Sequence, residues 1–156
     1  MLKVKIIVVE RTRSPFLKEG ETFYLKRLRK YAGVEWVEVR GASITRRKPA
    51  AEVFAAEERA ITKEIASRDY VIAMDRRGVA RDSKELAAWL QERSVSRNRL
   101  AFVIGGPLGL SAQLMDRADE IFSLSRLTLT HEMSRLVLLE QLYRACTITR
   151  GEKYHK

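Results

Sequence analysis

The stretch Phe102–Ser111, FVIGGPLGLS, places an apolar run directly before three glycines and a serine that can begin a helix. This order is typical of the turn from a buried strand into a helix, where many ligand-binding loops lie. The spacing Gly105-Gly106-x-x-Gly109 matches neither the G-x-G-x-x-G of dinucleotide-binding folds nor a P-loop. A phosphate site is therefore only weakly indicated. Two interpretations stay open, a tight turn that needs positive φ and a loop whose backbone approaches a flat ligand.

Five segments of strand length are spread along the chain, and one of them leads directly into the glycine loop. Most are continuous apolar runs, as in strands covered on both faces, and one alternates: KVKIIVVE, VEWVEV, YVIAM, LAFVIG and IFSLS. The segment YVIAM is expected to end at Asp75, with the following RRG as a turn. Since helical patterns alternate with these strands, we predict a single α/β domain over residues 1–156 with a mostly parallel sheet flanked by helices.

Five helices are predicted between and after the strands, each from a start or stop signal. Their expected bounds are Ser14-Pro15 to Gly33, about Pro49 to Ser67, a helix starting at Asp82 with Glu85 in a capping box, Ser111 to Asp119, and about His131 to Thr147. Thr130 is the expected N-cap of the last helix. That helix has apolar residues around much of its circumference, so it must be covered on more than one side. The second cover could be another subunit.

The overall composition is that of a globular protein with a strongly basic surface. Lys and Arg number 30 against 20 Asp and Glu, a formal net charge of +10, which favours a polyanionic partner and nucleic acid first. The alternatives are a basic protein without such a partner and a membrane-surface binder. We see no membrane-spanning run, signal peptide or metal-ligand pattern, and Cys146 is the only cysteine, so we expect a cytoplasmic protein.

The motifs argue against hydrolytic or covalent chemistry. No serine has the G-x-S-x-G context, and Cys146 lies on the apolar face of the last helix. A reaction that mainly positions two ligands together remains open. In a parallel sheet, ligands collect at the carboxyl ends of the strands. We therefore single out three loops there: after Met74-Asp75, after Ile104 and after Ser125.

Two further segments are unusual. In SLSRLTLTHEMSRLVLLEQLYRA, small polar residues alternate with leucines before the last helix, which could offer backbone groups to a ligand or could simply be a strand followed by a capped helix. The ending TRGEKYHK combines basic and aromatic side chains suited to RNA, although composition alone favours a solubilising basic tail.

Four segments together resemble a known family: YVIAMDRRG, FVIGGPLGLS, FSLSRLTLTHEMSRLVLLEQLYRA and RGEKYHK. They are similar to the RlmH family, the 23S ribosomal RNA pseudouridine N3-methyltransferases of the SPOUT class, and the resemblance spans the whole chain. It implies a trefoil knot near the C-terminus, a homodimer with its site near the subunit interface, and S-adenosylmethionine as cofactor. Matched motif by motif, the implied cofactor-binding residues are Met74, Gly105, Leu124, Ser125, Arg126, Leu127, Thr128 and Leu129.

The implied reaction is methyl transfer to N3 of a pseudouridine in a 23S rRNA hairpin loop of the assembled ribosome. We hypothesise that Tyr154 and His155 position the base, with His155 as a candidate proton acceptor. The candidates for RNA contact are Arg135, Arg144, Lys153 and Lys156. Arg135 and Arg144 could instead serve interface pairing, and Arg144 could pair with Glu140 in its own helix.

Two alternatives and two departures accompany this interpretation. The chain could be a SPOUT methyltransferase for another RNA, such as tRNA, or a ribosome-associated RNA-binding protein without catalysis. Thr130 stands where the family usually has Pro, and Glu10 stands where Gly is common. Because Thr130 can cap the last helix, we expect the knot to survive, whereas Glu10 affects the expected geometry of the first loop.

Overall fold

The structure is a computed structural model and describes residues 1–95 and 99–156. The strands are β1 (Leu2–Val9), β2 (Ala32–Val39), β3 (Asp69–Ala80), β4 (Arg99–Ile104) and β5 (Glu120–Ser123). The helices are α1 (Pro15–Leu28), α2 (Ala50–Glu64), α3 (Ser83–Val95), α4 (Ala112–Arg117) and α5 (His131–Thr149). The strands form one sheet in the order β2-β1-β4-β3-β5, with every neighbouring pair parallel. The predicted α/β class with a parallel sheet is confirmed.

Helices cover both faces of the sheet, which explains why β1 reads as a continuous apolar run. Alternate residues of β1 point to opposite sides. Val4, Ile6 and Val8 belong to the core shared with α1, α3 and α5, whereas Ile7 and Val9 belong to the core shared with α2 and α4. The carboxyl ends of all five strands therefore meet at one edge, between two packed layers.

Helix α5 lies between α1 and α3 on one face of the sheet. Leu138, Leu139 and Leu142 are buried in that core. The sequence predicted that α5 must be covered on more than one side, and α1 and α3 provide most of that cover. The burial of α5 therefore does not by itself call for a second subunit.

Strand β3 is longer than predicted. It was expected to end at Asp75, but pairing with β5 resumes beyond the RRG segment, so that Phe122 lies opposite both Met74 and Val79. The intervening residues bulge out of register. A Cβ at Gly78 would lie 2.5 Å from the carbonyl carbon of Ile121, so this glycine lets the bulge press against β5. The prediction of a turn was wrong because strand pairing overrides the local turn signal.

Glu10, directly after β1, has a φ of +63° and is the one non-glycine residue with positive φ in the described part of the chain. Left-handed backbone costs an L-residue roughly 1–2 kcal/mol. The Glu10 amide donates to Val39 O at 2.8 Å, and its carboxylate accepts from Gly41 N at 2.7 Å. These bonds hold the loop after β1 against the end of β2. They offset the cost of the positive φ and explain how Glu10 can stand where the family resemblance predicts Gly.

Candidate functional site

A cleft of about 510 Å³ opens where β3, β4 and β5 end and is called here the main cleft. All three loops chosen from sheet geometry contribute to it. Among the residues named from the sequence, those lining it are Met74, Gly105, Leu124, Ser125, Leu127, Thr128 and Leu129. Arg126 is not among the lining residues, and its side chain is exposed. The parallel sheet thus brings seven of the eight named positions together.

The loop after β4 is a tight turn whose backbone also forms a wall of the main cleft. Gly109 N donates to Gly106 O at 2.9 Å, and Gly109 has a φ of +81°. A Cβ at Gly105 would lie 2.5 Å from the carbonyl carbon of Gly109, so the turn closes only if residue 105 has no side chain. The turn interpretation is confirmed, and because the loop lines the cleft, the two interpretations are compatible.

The loop after β5 is held by its own serines. Ser123 Oγ donates to Ser125 O at 2.9 Å, and Ser125 Oγ accepts from Leu127 N at 3.0 Å. The Leu127 side chain is left 75% exposed at the cleft. The alternation of small polar residues and leucines therefore shapes an irregular segment that lines the cleft with both kinds of residue.

The start of α5 adds residues that were not assigned to a site from the sequence. His131 and Ser134 line the main cleft, and Thr130 caps the helix by accepting from Met133 N at 3.2 Å, as predicted. The pKa of His131 is lowered, mainly by burial and secondly by the nearby Arg135 guanidinium. The neutral imidazole, which can accept a proton, is therefore favoured at neutral pH.

Asp75 also lines the main cleft and was not assigned a role from the sequence. The Arg77 guanidinium, with Nε 2.8 Å from Asp75 Oδ1, holds the pKa of that carboxyl below its usual range. An ionised carboxylate thus stands at the end of β3. Asp75 directly follows Met74 in a loop that the sequence analysis had already selected, so its place in the cleft could have been inferred from the sequence.

A second cavity of about 370 Å³, called here the side cavity, lies at the ends of β1 and β2. Its lining consists of Val9, Glu10, Arg11, Arg13, Gly41, Ala42, Ser43, Ile44, Glu57, Pro107, His131 and Glu132. Pro107 and His131 also line the main cleft, so the two spaces adjoin. Glu57, on α2, is only 5% exposed, and burial raises its pKa.

Arg135 does not have the position expected of an RNA-contacting residue. It has no exposed surface; Nη2 donates to Val9 O at 2.6 Å, and Nη1 donates to Thr12 Oγ1 at 2.9 Å. Thr12 in turn donates to the buried carboxylate of Glu21. The candidate role in phosphate contact is therefore wrong for Arg135, which ties α5 to the end of β1 instead.

Arg144 forms the pair within α5 that was kept as its alternative role. Its Nε donates to Glu140 Oε1 at 3.0 Å, and its guanidinium carbon lies 4.7 Å from the Tyr154 ring centroid. Lys153 and Lys156 are exposed. These three cations lie near the C-terminal tail, away from the main cleft.

The tail itself packs along α5. The Tyr154 ring is 4.8 Å from that of Tyr143, and its hydroxyl donates to Glu140 Oε1 at 3.1 Å. Burial and the hydrogen bond to Tyr24 raise the pKa of Tyr154, so its hydroxyl stays protonated. Since Glu140 is nine residues beyond His131, it lies about 14 Å along the helix from the cleft. The structure does not bring Tyr154 and His155 into the main cleft of their own chain.

Within the described ranges, no helix has the length and apolar character to cross a membrane, and no cluster of three or more His, Cys, Asp or Glu side chains is arranged to hold a metal. Burial raises the pKa of the Cys146 thiol to about 11, as suits a packing residue.

Comparisons with known proteins agree with this architecture. Residues 2–155 match the family model described as predicted SPOUT methyltransferase. A protein from Moorella thermoacetica named ribosomal RNA large subunit methyltransferase H is 41% identical, over 100% of both chains. One from Bacillus thuringiensis with the same name is 40% identical, over 99% of this chain and 100% of the relative. A Methanoregula boonei protein, with that name as a provisional designation, is 45% identical over the same shares.

Solved structures show the same fold at low sequence identity. A Bordetella pertussis protein named a probable methyltransferase has a TM-score of 0.58 and 15% identity, with 93% of this chain and 96% of that chain covered. A methylase family protein from Haemophilus influenzae has a TM-score of 0.56 and 16% identity, with 100% and 72% covered. With the family model matching nearly the whole chain and relatives above 40% identity, the chain belongs to the SPOUT methyltransferase family.

Proposed function

We propose that the chain is an S-adenosylmethionine-dependent methyltransferase that methylates N3 of a pseudouridine in a 23S rRNA hairpin loop of the assembled ribosome. The observation that carries the proposal is the convergence of three loops on the main cleft. The names of the relatives support ribosomal RNA as the substrate. The net charge of +10 fits a polyanionic partner, and a ribosomal substrate would place the protein in the cytoplasm.

The main cleft suits the proposed cofactor. Its volume of about 510 Å³ is within the usual range of ligand pockets. Leu124, Leu127 and Leu129 would contact the adenine, and the backbone at Gly105 would pass close to it. The ionised carboxylate of Asp75 is an acceptor for ribose hydroxyls or an ammonium group. The proposal keeps residues 1–156 as one domain and keeps the trefoil knot implied by the family resemblance.

When bound, S-adenosylmethionine supplies a methyl group on a positively charged sulfur that departs as a neutral thioether. The pseudouridine N3 would lose its proton and use the resulting electron pair to take the methyl carbon, and the carbon–sulfur pair would stay on sulfur. The protein's tasks are therefore alignment and proton removal. Tyr154, whose hydroxyl stays protonated, would position the base, and His155 remains the candidate acceptor for the N3 proton.

The role proposed for Tyr154 and His155 requires the tail of a second chain. Because Tyr154 and His155 do not line their own main cleft, a tail from a second copy would have to reach it, which fits the proposed homodimer. Phe16 and Phe23 on α1 leave 67% and 48% of their surfaces exposed, and Leu127 is also exposed. These apolar side chains are candidates for the subunit interface. Arg144, Lys153 and Lys156 would then contact RNA phosphates near the partner's cleft.

Deleting residues 154–156 tests the assignment of the tail. We expect methyl transfer to be lost while cofactor affinity is unchanged. Calorimetric titration with S-adenosylmethionine measures the second quantity, and labelled methyl transfer to ribosomes that lack the modification measures the first. Unchanged transfer by the truncated protein would contradict the role of Tyr154 and His155.

The RNA substrate is tested with the intact protein. Labelled cofactor is supplied with assembled ribosomes, separated subunits or free tRNA, and we expect label in the 23S rRNA of assembled ribosomes. Label only in tRNA would favour the alternative substrate. A protein that binds ribosomes but not S-adenosylmethionine would instead be a non-catalytic RNA-binding protein.

A further inference from the structure

We propose that the side cavity holds the target nucleobase, and that the buried carboxylate of Glu57 recognises pseudouridine by accepting a hydrogen bond from its N1–H. The inference rests on the proposed function and extends it to the choice between pseudouridine and uridine.

The position of the side cavity makes it a suitable second subsite. Pro107 and His131 form part of its wall and part of the wall of the main cleft. A base in one space and a methyl donor in the other would therefore meet across this shared boundary. A volume of about 370 Å³ falls within the range of small-molecule pockets and can admit a nucleoside.

Glu57 is an unusual residue to bury in a helix that otherwise packs through apolar side chains. It accepts a backbone hydrogen bond from Ala42, and a Cβ at Gly106 would lie 3.2 Å from its Oε1. The bare backbone of Gly106, which lines the main cleft, thus separates this carboxylate from the cofactor space. Because a carboxylate can accept about four hydrogen bonds, Glu57 retains capacity for a ligand.

The other two carboxylates of the side cavity have structural tasks. Glu10 accepts from Gly41 N, and Glu132 accepts from the amides of Arg13 and Ser14. Both line the cavity but hold loops and are less buried than Glu57. Glu57 is therefore the acidic side chain best suited to a ligand.

The chemistry of the base explains why a carboxylate is useful here. Pseudouridine is joined to its sugar through carbon, so both N1 and N3 carry hydrogens. In uridine N1 carries the sugar, and a C–H occupies the corresponding edge. A buried acceptor therefore gains a hydrogen bond with pseudouridine and stays unpaired with uridine, which discriminates between the two bases. The exposed Arg11 and Arg13 at the cavity can contact the flanking phosphates.

The test compares ribosomes that carry either pseudouridine or uridine at the target position. The variant Glu57→Met removes the acceptor while keeping the side-chain length. We expect the preference of the wild type for pseudouridine to fall roughly 10- to 100-fold in kcat/KM, with the affinity for S-adenosylmethionine unchanged. Glu52→Gln, at an exposed position of the same helix, is the matched control and should keep the preference.

A second variant keeps the test decisive if Glu57→Met does not fold. Ser43 is exposed at the cavity, so Ser43→Trp can obstruct it without disturbing the core. We expect this variant to lose methyl transfer and to keep cofactor binding. Full transfer by Ser43→Trp, an unchanged base preference in Glu57→Met, or loss of cofactor binding in Glu57→Met would each overturn the inference. If the proposed function is wrong, the wild type labels neither kind of ribosome. That result is distinct from the three above and would also overturn the inference.

Discussion

The two ends of α5 are held in different ways. At the cleft end, Arg135 is fully buried and donates to Val9 O and Thr12 Oγ1. Glu132 accepts from the amides that precede α1. The two Arg135 bonds are directional and buried, so loss of one partner leaves a buried polar group unpaired.

At the tail end, the contacts are aromatic and partly exposed. Tyr154 lies edge-on to Tyr143 at 4.8 Å, and Arg144 lies over its ring. Tyr31 donates to Glu152 at 2.7 Å. Each such contact is worth about 0.5–1.5 kcal/mol. The difference indicates that buried polar bonds fix the end of α5 at the main cleft, whereas several weaker, partly exposed contacts hold the tail.

The largest expected effect comes from breaking the cleft end. Arg135→Met leaves Val9 O and the Thr12–Glu21 pair without their buried partner, so the free energy of unfolding should fall by about 3–5 kcal/mol. Urea denaturation measures it. Arg144→Met at the tail end is the control and should cost less than about 1 kcal/mol, since that pair is partly exposed. Equal losses would remove the contrast between the two ends.

Gly105→Ala should damage the main cleft without touching the tail. The added Cβ meets the backbone of Gly109, so the loop must move. We expect affinity for S-adenosylmethionine to weaken about 100-fold, roughly 2.7 kcal/mol. Titration calorimetry measures the affinity, and Gly33→Ala, whose Cβ has nothing within 4 Å, should bind as the wild type does. Normal affinity in Gly105→Ala would show that the loop is less constrained than its geometry indicates.

Thr130→Ala removes the N-cap of α5 at the cleft end. Met133 N loses its acceptor, and the free energy of unfolding should fall by about 1 kcal/mol. For a chain of this size, the thermal midpoint should drop by about 2–4 °C. Thr128→Ala, at an exposed position of the same loop, serves as the control for stability. A midpoint that does not change would mean that water replaces the cap.

The smallest effect is expected at the tail. Tyr154→Phe keeps the ring contact with Tyr143 and loses the hydroxyl bonds to Glu140 and Tyr24, so global stability should change by no more than about 1 kcal/mol. Hydrogen exchange at the tail amides should speed up while exchange in α5 near Arg135 stays the same. Faster exchange at both ends would show that the tail and the cleft are coupled within one chain.

Much of the candidate site could be predicted from the sequence because its parts are local. The three loops follow apolar strands, and parallel strands bring their ends to one edge. The caps at Thr130 and Ser111 were predicted correctly because a capping side chain bonds within its own turn. The extension of β3 was missed because its pairing with Phe122 joins segments more than forty residues apart. The role of Arg135 was missed for the same reason, since Val9 and Thr12 lie far from it in the sequence.

By itself, the sequence determined the α/β class, the order of strands and helices, and the family, because periodicity, turn residues and motifs are properties of neighbouring positions. Only the tertiary structure decided which side chains share a space. It joined the main cleft to the side cavity at Pro107 and His131, and it buried Glu57 beside Gly106. It also kept Tyr154 on its own helix rather than in its own cleft. Such placements depend on packing between distant segments, and no local pattern encodes the distance between them.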